Sequence, residues 1–315
     1  MSQTELHRHL DVSTRASTLL ELCQNLGHLP RGDKLEDFKQ WLYIDRPLNS
    51  LSEVLAHFKL FQKVLMRPET LERVAFEAAE DCVREGTTQV EFRYSPKFVS
   101  EYSKLPWDEV LAAWKRGLTK AQAAYPSLKT GLLCIASRDY GVEAVSETVE
   151  FYLKHQADFV GFDMAGNEVG FPCRDFESAL KPLRLAGAPI TIHAGEAVGP
   201  DAIWEAIELL GARRIGHGIS AIQDPKLMQV LAERSICLEM CPTSNWVTRA
   251  VPSLAAHPLP QVLRAGVPVC INTDDPGVFP VTLPSEKELC RTQLGLTYEE
   301  LQLCEAHARK ASFIA

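Results

Sequence analysis

The chain contains no long apolar run. Nothing in it approaches the roughly 20 consecutive apolar residues that span a bilayer, so no membrane role is expected. It also lacks a basic excess. Lys and Arg number 33 against 41 Asp and Glu, for a net charge of −8. That balance removes the electrostatic footprint of nucleic-acid or acidic-membrane binding. No Cys-x-x-Cys pair occurs among the nine scattered cysteines. A reduced, cytoplasmic protein with buried thiols is therefore expected. No charged and then apolar leader is expected, because the first candidate strand starts almost at Met1. No linker, low-complexity segment or internal repeat divides the 315 residues. One domain over residues 1–315 is expected, and no obligatory protein partner is evident.

What is present is strand–helix alternation. Eight strand candidates can be placed: Thr4–Asp11, Thr88–Tyr94, Thr130–Ser137, Phe159–Ala165, Pro189–His193, Arg214–His217, Ile236–Met240 and Val267–Thr273. From the second onward most are separated by helical patterns such as Asp201–Leu210 and Pro225–Glu233. Regular alternation of this kind predicts a parallel α/β architecture, and eight units favour a closed (β/α)8 barrel. The first strand departs from the rhythm, since a largely helical stretch, about residues 12–87, precedes the second. Within it, Leu51, Val54, Leu55, Phe58, Phe61, Val64 and Leu65 recur at helical spacing, and Leu71–Glu85 reads as another helix. An insertion after a barrel strand would cover the C-terminal mouth as a lid, the alternative being extra packing on the flank. The last helix should start at the capping box Thr297-Tyr298-Glu299-Glu300 and run to about Phe313.

Ligand-type residues gather at the ends of these strands. His7, His9 and Asp11 share one strand face, because residues two apart point the same way, and Arg8 faces the other side. His193, His217 and the pair Asp274-Asp275 follow three further apolar runs. Imidazole and carboxylate at several strand ends suggest a metal-assisted hydrolase. Three neutral histidines, one carboxylate and a divalent ion leave roughly one positive charge, enough to pull the pKa of a bound water towards about 7. Glu196 lies three residues past His193. In a closed apolar site it could serve as a general acid; otherwise it is a carboxylate favoured ahead of the helix Asp201–Leu210.

Seven motifs carry a resemblance to a known family. They are His7-Arg8-His9-Leu10-Asp11, Glu91-Phe92-Arg93-Tyr94-Ser95-Pro96, Asp163-Met164-Ala165-Gly166-Asn167-Glu168, His193-Ala194-Gly195-Glu196, Gly216-His217-Gly218, Cys241-Pro242-Thr243-Ser244-Asn245 and Asn272-Thr273-Asp274-Asp275-Pro276. In this order they resemble the adenosine deaminase family of metal-dependent hydrolases, closest to the bacterial members. The resemblance implies one Zn2+ per chain, held by His7, His9, His193 and Asp274. It implies that Glu196 protonates purine N1 while a zinc-activated water, oriented by His217 and Asp275, attacks C6. Adenosine, and 2′-deoxyadenosine with it, would give the inosine product and ammonia. Asp275 is also implied to contact N7, the Gly166 amide N3, and Asp11 a ribose hydroxyl. His9 would line the substrate as well, and Phe58 and Phe61 either gate the purine or serve as core residues. The alternative substrate is another 6-aminopurine compound, such as adenine, aminofutalosine or a different adenosine derivative.

Two departures from the family pattern border the substrate site: Val12 in place of glycine and Asn167 in place of aspartate. The remaining readings are plain. His28, His57, His155, His257 and His307 read as ordinary surface or packing residues, and Cys241 and Asn245 as residues that shape a loop. Glu91, Arg93 and Glu239 lie inside strands, so any that face the barrel interior must be paired. Arg8 is expected to pair with a carboxylate, and Lys34–Asp37 to form a solvated helix face. No lysine stands near a strand end to bridge two metals, as in lactonases and phosphotriesterases. The cytidine-deaminase pattern His-x-Glu with Pro-Cys-x-x-Cys is absent.

Overall fold

A computed structural model of the chain describes residues 3–29, 34–48 and 51–315. Eight strands form one sheet: β1 Gln3–His9, β2 Thr87–Tyr94, β3 Lys129–Ser137, β4 Gly161–Ala165, β5 Ile190–Ala194, β6 Arg214–His217, β7 Cys237–Met240 and β8 Val269–Ile271. Each pairs in parallel with its neighbour in sequence, from β1 to β8. The strands are apolar runs because helices cover one side and the barrel interior the other. In β3, for example, Leu132, Leu133, Cys134, Ile135 and Ala136 are all buried. The expected (β/α)8 barrel is the observed fold.

The barrel closes through a short seam. His9 N–H donates to the Asp274 carbonyl at 2.9 Å, and Asp274 N–H donates to the His7 carbonyl at 3.0 Å. With only three residues in β8, side chains complete the ladder. Asn272 Oδ1 accepts from Leu6 N–H at 2.9 Å, and Glu5 Oε1 accepts from Thr273 N–H at 2.9 Å. Outside the barrel wall Arg8 bonds Glu5 at 3.3 Å and Glu85 at 3.2 Å, the carboxylate pairing expected of it.

Among the described residues, four α-helices stand between β1 and β2: Ala16–Asn25, Leu35–Leu42, Leu51–Val64 and Pro68–Arg84. The stretch lies in two places. Pro68–Arg84 packs on the flank against helix Trp107–Ala124, so closely that a side chain at Gly117 would collide with the Glu72 carbonyl and sit 2.6 Å from Ala75 Cβ. Residues 44–48, after the second helix, lie at the mouth. There Ile44 N–H donates to the Val278 carbonyl at 2.9 Å and Leu48 N–H to the Val247 carbonyl at 2.9 Å, in the segments that follow β8 and β7. Lys34, Glu36 and Asp37 are exposed, as a solvated face requires. Among the described residues no helix is long and apolar enough to cross a membrane.

The final helix starts at the Thr297 capping box but stops at Ala311, short of the expected end. The cause is Glu91. Its Oε1 accepts from Ser312 Oγ at 2.6 Å, Phe313 N–H at 2.5 Å and Ile314 N–H at 3.3 Å. These bonds draw the chain beneath the barrel, where the Phe313 ring lies 3.6 Å from the Arg214 guanidinium carbon.

Inside the barrel the charged strand residues form a paired layer. Arg93 bonds Asp163 at 2.8 Å and Glu239 at 2.7 Å. Arg214 bonds Glu239 at 2.6 Å and Glu91 at 2.7 Å. All five are fully buried. The two guanidiniums hold the Glu239 carboxyl well below the usual range, although burial alone would raise it. Cations that bridge acids in this way offset the desolvation that isolated charges would suffer.

Candidate active site

Directly above this layer the strand ends place four imidazoles and two aspartates together. His7 Nδ1 meets Glu239 Oε2 at 2.9 Å, and His193 Nδ1 meets Asp163 Oδ2 at 3.0 Å. Burial would raise the Asp163 carboxyl, yet His193 and Arg93 hold it low, so both acids are ionised acceptors. Both Nδ1 atoms must then carry the hydrogen, which leaves the Nε2 lone pairs to face the mouth. His7 Nε2 is buried and finds no hydrogen-bond partner. It stands 3.2 Å from Asp274 Oδ1, and His9 Nε2 stands 3.3 Å from the same oxygen.

Lone pairs aimed at a carboxylate oxygen call for a cation between them. His7, His193, His217 and Asp274 each offer a ligand atom, all within 4.8 Å of one another, and His9 forms a second such group with Asp274 and Asp275. The set expected from sequence (His7, His9, His193 and Asp274) is thus divided between two overlapping clusters that share Asp274, and His217 stands among them. Neutral imidazole with carboxylate suits a zinc-like divalent ion. The protonation balance makes the same demand. Burial would lower the His9 pKa, but Asp275, Asp274 and Asp11 outweigh it and raise it to about 9. His193, in contrast, is pushed down to about 3 by burial.

Two of the clustered residues sit in strained backbone. His217 has φ +59° and Asp274 φ +66°, the left-handed region that non-glycine residues avoid. Ser244 Oγ holds Asp274 Oδ2 at 2.7 Å from the side opposite His7 and His9. Burial and the neighbouring Asp274 carboxylate push the Asp275 carboxyl well above its usual range.

Glu196 is set by Glu168, a residue to which sequence reasoning gave no role. The Glu168 carboxylate accepts the N–H groups of Gly195 at 2.7 Å, Glu196 at 3.0 Å and Ala197 at 3.2 Å. Gly195, at φ +73°, makes the turn that lets three successive amides converge. The Glu196 side chain does not cap the helix Asp201–Glu208. Its Oε2 lies 3.6 Å from His217 Nε2, and its Oε1 lies 3.3 Å from both Asn245 Nδ2 and Thr248 Oγ1. Burial raises its carboxyl, and the Asp274 and Glu168 charges add to the rise against His217.

Around the mouth, Asp11 Oδ2 accepts the Ser95 N–H at 3.0 Å, while Oδ1 is buried and unpartnered. Burial raises Asp11 to about 6. Gly166 has φ +100°, and a Cβ there would fall 2.6 Å from Asp139 Oδ2. Phe61 is fully buried against Gly277, whereas Phe58 is half-buried. Of the two departures from the family pattern, Val12 is buried and its carbonyl accepts Gly277 N–H at 3.0 Å. Asn167 is exposed in a turn, its Oδ1 accepting Val169 N–H at 3.0 Å.

Eight parallel strands, a closed barrel and an imidazole–carboxylate cluster at the C-terminal mouth define a metal-dependent hydrolase barrel. A family model described as adenosine deaminase matches residues 2–315. An adenosine deaminase of Vibrio parahaemolyticus is 39% identical over 313 residues, covering 99% of this chain and 93% of that protein. The chain belongs to the adenosine deaminase family. Its fold matches the crystal structure of adenine deaminase from Arthrobacter aurescens at TM-score 0.90 and 26% identity, covering 99% of this chain and 94% of the other. It matches the N6-methyl-AMP deaminase of Arabidopsis thaliana at 0.85 and 29%, covering 100% and 93%.

Proposed function

We propose that this chain hydrolytically deaminates adenosine and 2′-deoxyadenosine, releasing ammonia and leaving the inosine product, with one zinc ion at the barrel mouth. The observation that carries the reading is one mouth where the buried, unpartnered His7 Nε2 stands with a Glu196 carboxyl that burial raises above its usual range. His7, His9, His193 and Asp274 would hold the zinc, which supplies the Lewis acidity that makes water nucleophilic near neutral pH.

The other steps belong to side chains of this chain. Glu196, its carboxyl raised above the usual range by burial, gives a proton to purine N1, which makes C6 electrophilic. His217 and Asp275 orient the attacking water by hydrogen bonds. Asp275, its carboxyl pushed well above its usual range by burial and by the Asp274 charge, also donates to N7. Gly166 brings its backbone N–H to N3, in a left-handed conformation that a side chain, which would collide with Asp139, does not permit. Asp11 Oδ1 lacks a partner until a ribose hydroxyl donates to it, which favours a nucleoside over the free base. The Asp11 carboxyl, raised by burial only to about 6, carries a charge above that pH and disfavours a phosphorylated substrate. Within the domain, the described residues 44–48 and 57–64 act as the lid, with half-buried Phe58 over the purine and Phe61 as its anchor. Nine buried, free cysteines fit a reducing, cytoplasmic setting.

Comparing kcat/KM for adenosine, 2′-deoxyadenosine, adenine and N6-methyl-AMP tests the reading. Adenosine and its 2′-deoxy form should exceed the other two by about 100-fold or more. Adenine as the best substrate would overturn the role given to Asp11.

A further inference from the structure

Asn245 and His257 stand directly behind His217, and both are fully buried. Asn245 lies on the short helix Pro242–Val247 after β7, and His257 in the turn before helix Leu259–Arg264. The hydrogen bonds that join them have a fixed direction. Leu259 N–H can only donate, and it donates to His257 Nδ1 at 3.2 Å. A ring nitrogen that accepts carries no hydrogen, so neutral His257 holds its hydrogen on Nε2. That Nε2 faces Asn245 Oδ1 at 3.2 Å. The reversed amide would set two donors against each other in a buried place, so the Asn245 oxygen faces His257 and its nitrogen faces away.

Asn245 Nδ2 then has two hydrogens to give. One meets His217 Nδ1 at 3.0 Å and the other Glu196 Oε1 at 3.3 Å. His217 accepts at Nδ1 and so keeps its own hydrogen on Nε2, which points to Glu196 Oε2 at 3.6 Å. This is the reverse of His7 and His193, whose Nδ1 atoms face carboxylates and whose Nε2 atoms present lone pairs. Rings that lie within 5.2 Å of one another, centre to centre, are thereby given different work. Two are set to ligate and one to donate.

We propose that Asn245 and His257 form an orientation relay, anchored on the Leu259 N–H, that fixes His217 as an Nε2–H donor toward the reacting centre and leaves Oε2 as the proton-bearing oxygen of Glu196. Both are positioning residues that act through His217 and Glu196, so the relay rests on the functional reading given to those two. It explains why His217, although close enough to join the metal-type cluster, is not a ligand. Burial pushes the His257 pKa down to about 3, so protonation does not break the relay near neutral pH.

The test is the tautomer itself. The full, zinc-loaded chain would be labelled with 15N-histidine and its long-range 1H–15N spectrum recorded near neutral pH, with assignment by H217N and H257Q. The expected result is a bare Nδ1 and a protonated Nε2 on both His217 and His257. A protonated Nδ1 on either ring would overturn the relay. Kinetics give a second arm. H257F, which removes the donor, should lower kcat roughly 10–100-fold with KM little changed, and H257Q, whose amide can donate to Asn245, should recover most of it. Equal kcat values for H257F and the parent would also overturn it. The expected tautomers in a protein that turns over no aminopurine would instead count against the functional reading alone.

Discussion

Two layers of the same barrel treat similar side chains in opposite ways. The interior layer holds Glu91, Arg93, Asp163, Arg214 and Glu239, and every charge there meets a counter-charge at 2.6 to 2.8 Å. The mouth above it holds His7, His9, His193, His217, Asp11, Glu196, Asp274 and Asp275 without an arginine or lysine among them. Acid there faces acid, His7 Nε2 and Asp11 Oδ1 are buried without partners, and two residues sit in left-handed backbone. The lower layer is complete as folded. The upper one is complete only with a cation and a substrate, and it stores that incompleteness as raised carboxyl pKa values and backbone strain. The layers are coupled, because Asp163 and Glu239 also aim His193 and His7.

Substitutions should separate the two layers. The largest effect is expected in the mouth. Glu196→Gln keeps the shape but cannot supply the proton, so kcat should fall about 10²- to 10⁴-fold while zinc content and thermal midpoint stay near those of the parent. A midpoint lowered by several degrees would show that Glu196 is part of the structural layer after all. In the interior the expectation reverses. Arg93→Met strips Asp163 and Glu239 of their shared cation and should cost about 3–5 kcal/mol in denaturant unfolding, with activity lost only as the fold loosens. A loss below about 1 kcal/mol would break the comparison.

A smaller effect is expected beside the mouth. Glu286 is buried, accepts from Thr243 N–H at 3.0 Å and from the Thr243 hydroxyl, and burial raises its pKa from 4.5 to about 7. Below pH 4.5 folded and unfolded chains both carry its proton, and its contribution is fully present. Between 4.5 and 7 only the folded chain keeps the proton, so stability should fall with rising pH by up to about 1.4 kcal/mol per unit. Glu286→Gln should flatten that slope in stability measured across the window. An unchanged slope would place the titration elsewhere.

The parts of this arrangement that could be read from sequence are those with a period. Strand existence followed from apolar runs, and the shared face of His7 and His9 from alternation, whereas Asp11, expected on the same strand face, follows in a short 3-10 turn after the strand ends at His9. The interior pairing of Arg93 followed because a buried charge needs a partner. Boundaries moved wherever a long-range bond intervened, as when Glu91 drew in residues 312–314 and ended the last helix early. The parts that escaped are contacts between loops far apart in the chain. Nothing local marks Glu168 as the anchor for the amides after His193, since the two loops meet only because β4 and β5 are neighbours. His257 read as an ordinary histidine and Asn245 as a loop residue for the same reason. Their meaning depends on which ring nitrogen faces which neighbour, and spacing along a sequence does not carry that.

The most direct measurement follows adenosine absorbance and ammonia release with protein stripped by a chelator and then titrated with Zn2+. The account predicts no turnover in the stripped protein and full recovery at one zinc per chain. Undiminished turnover without metal, or a requirement for two ions, would contradict it.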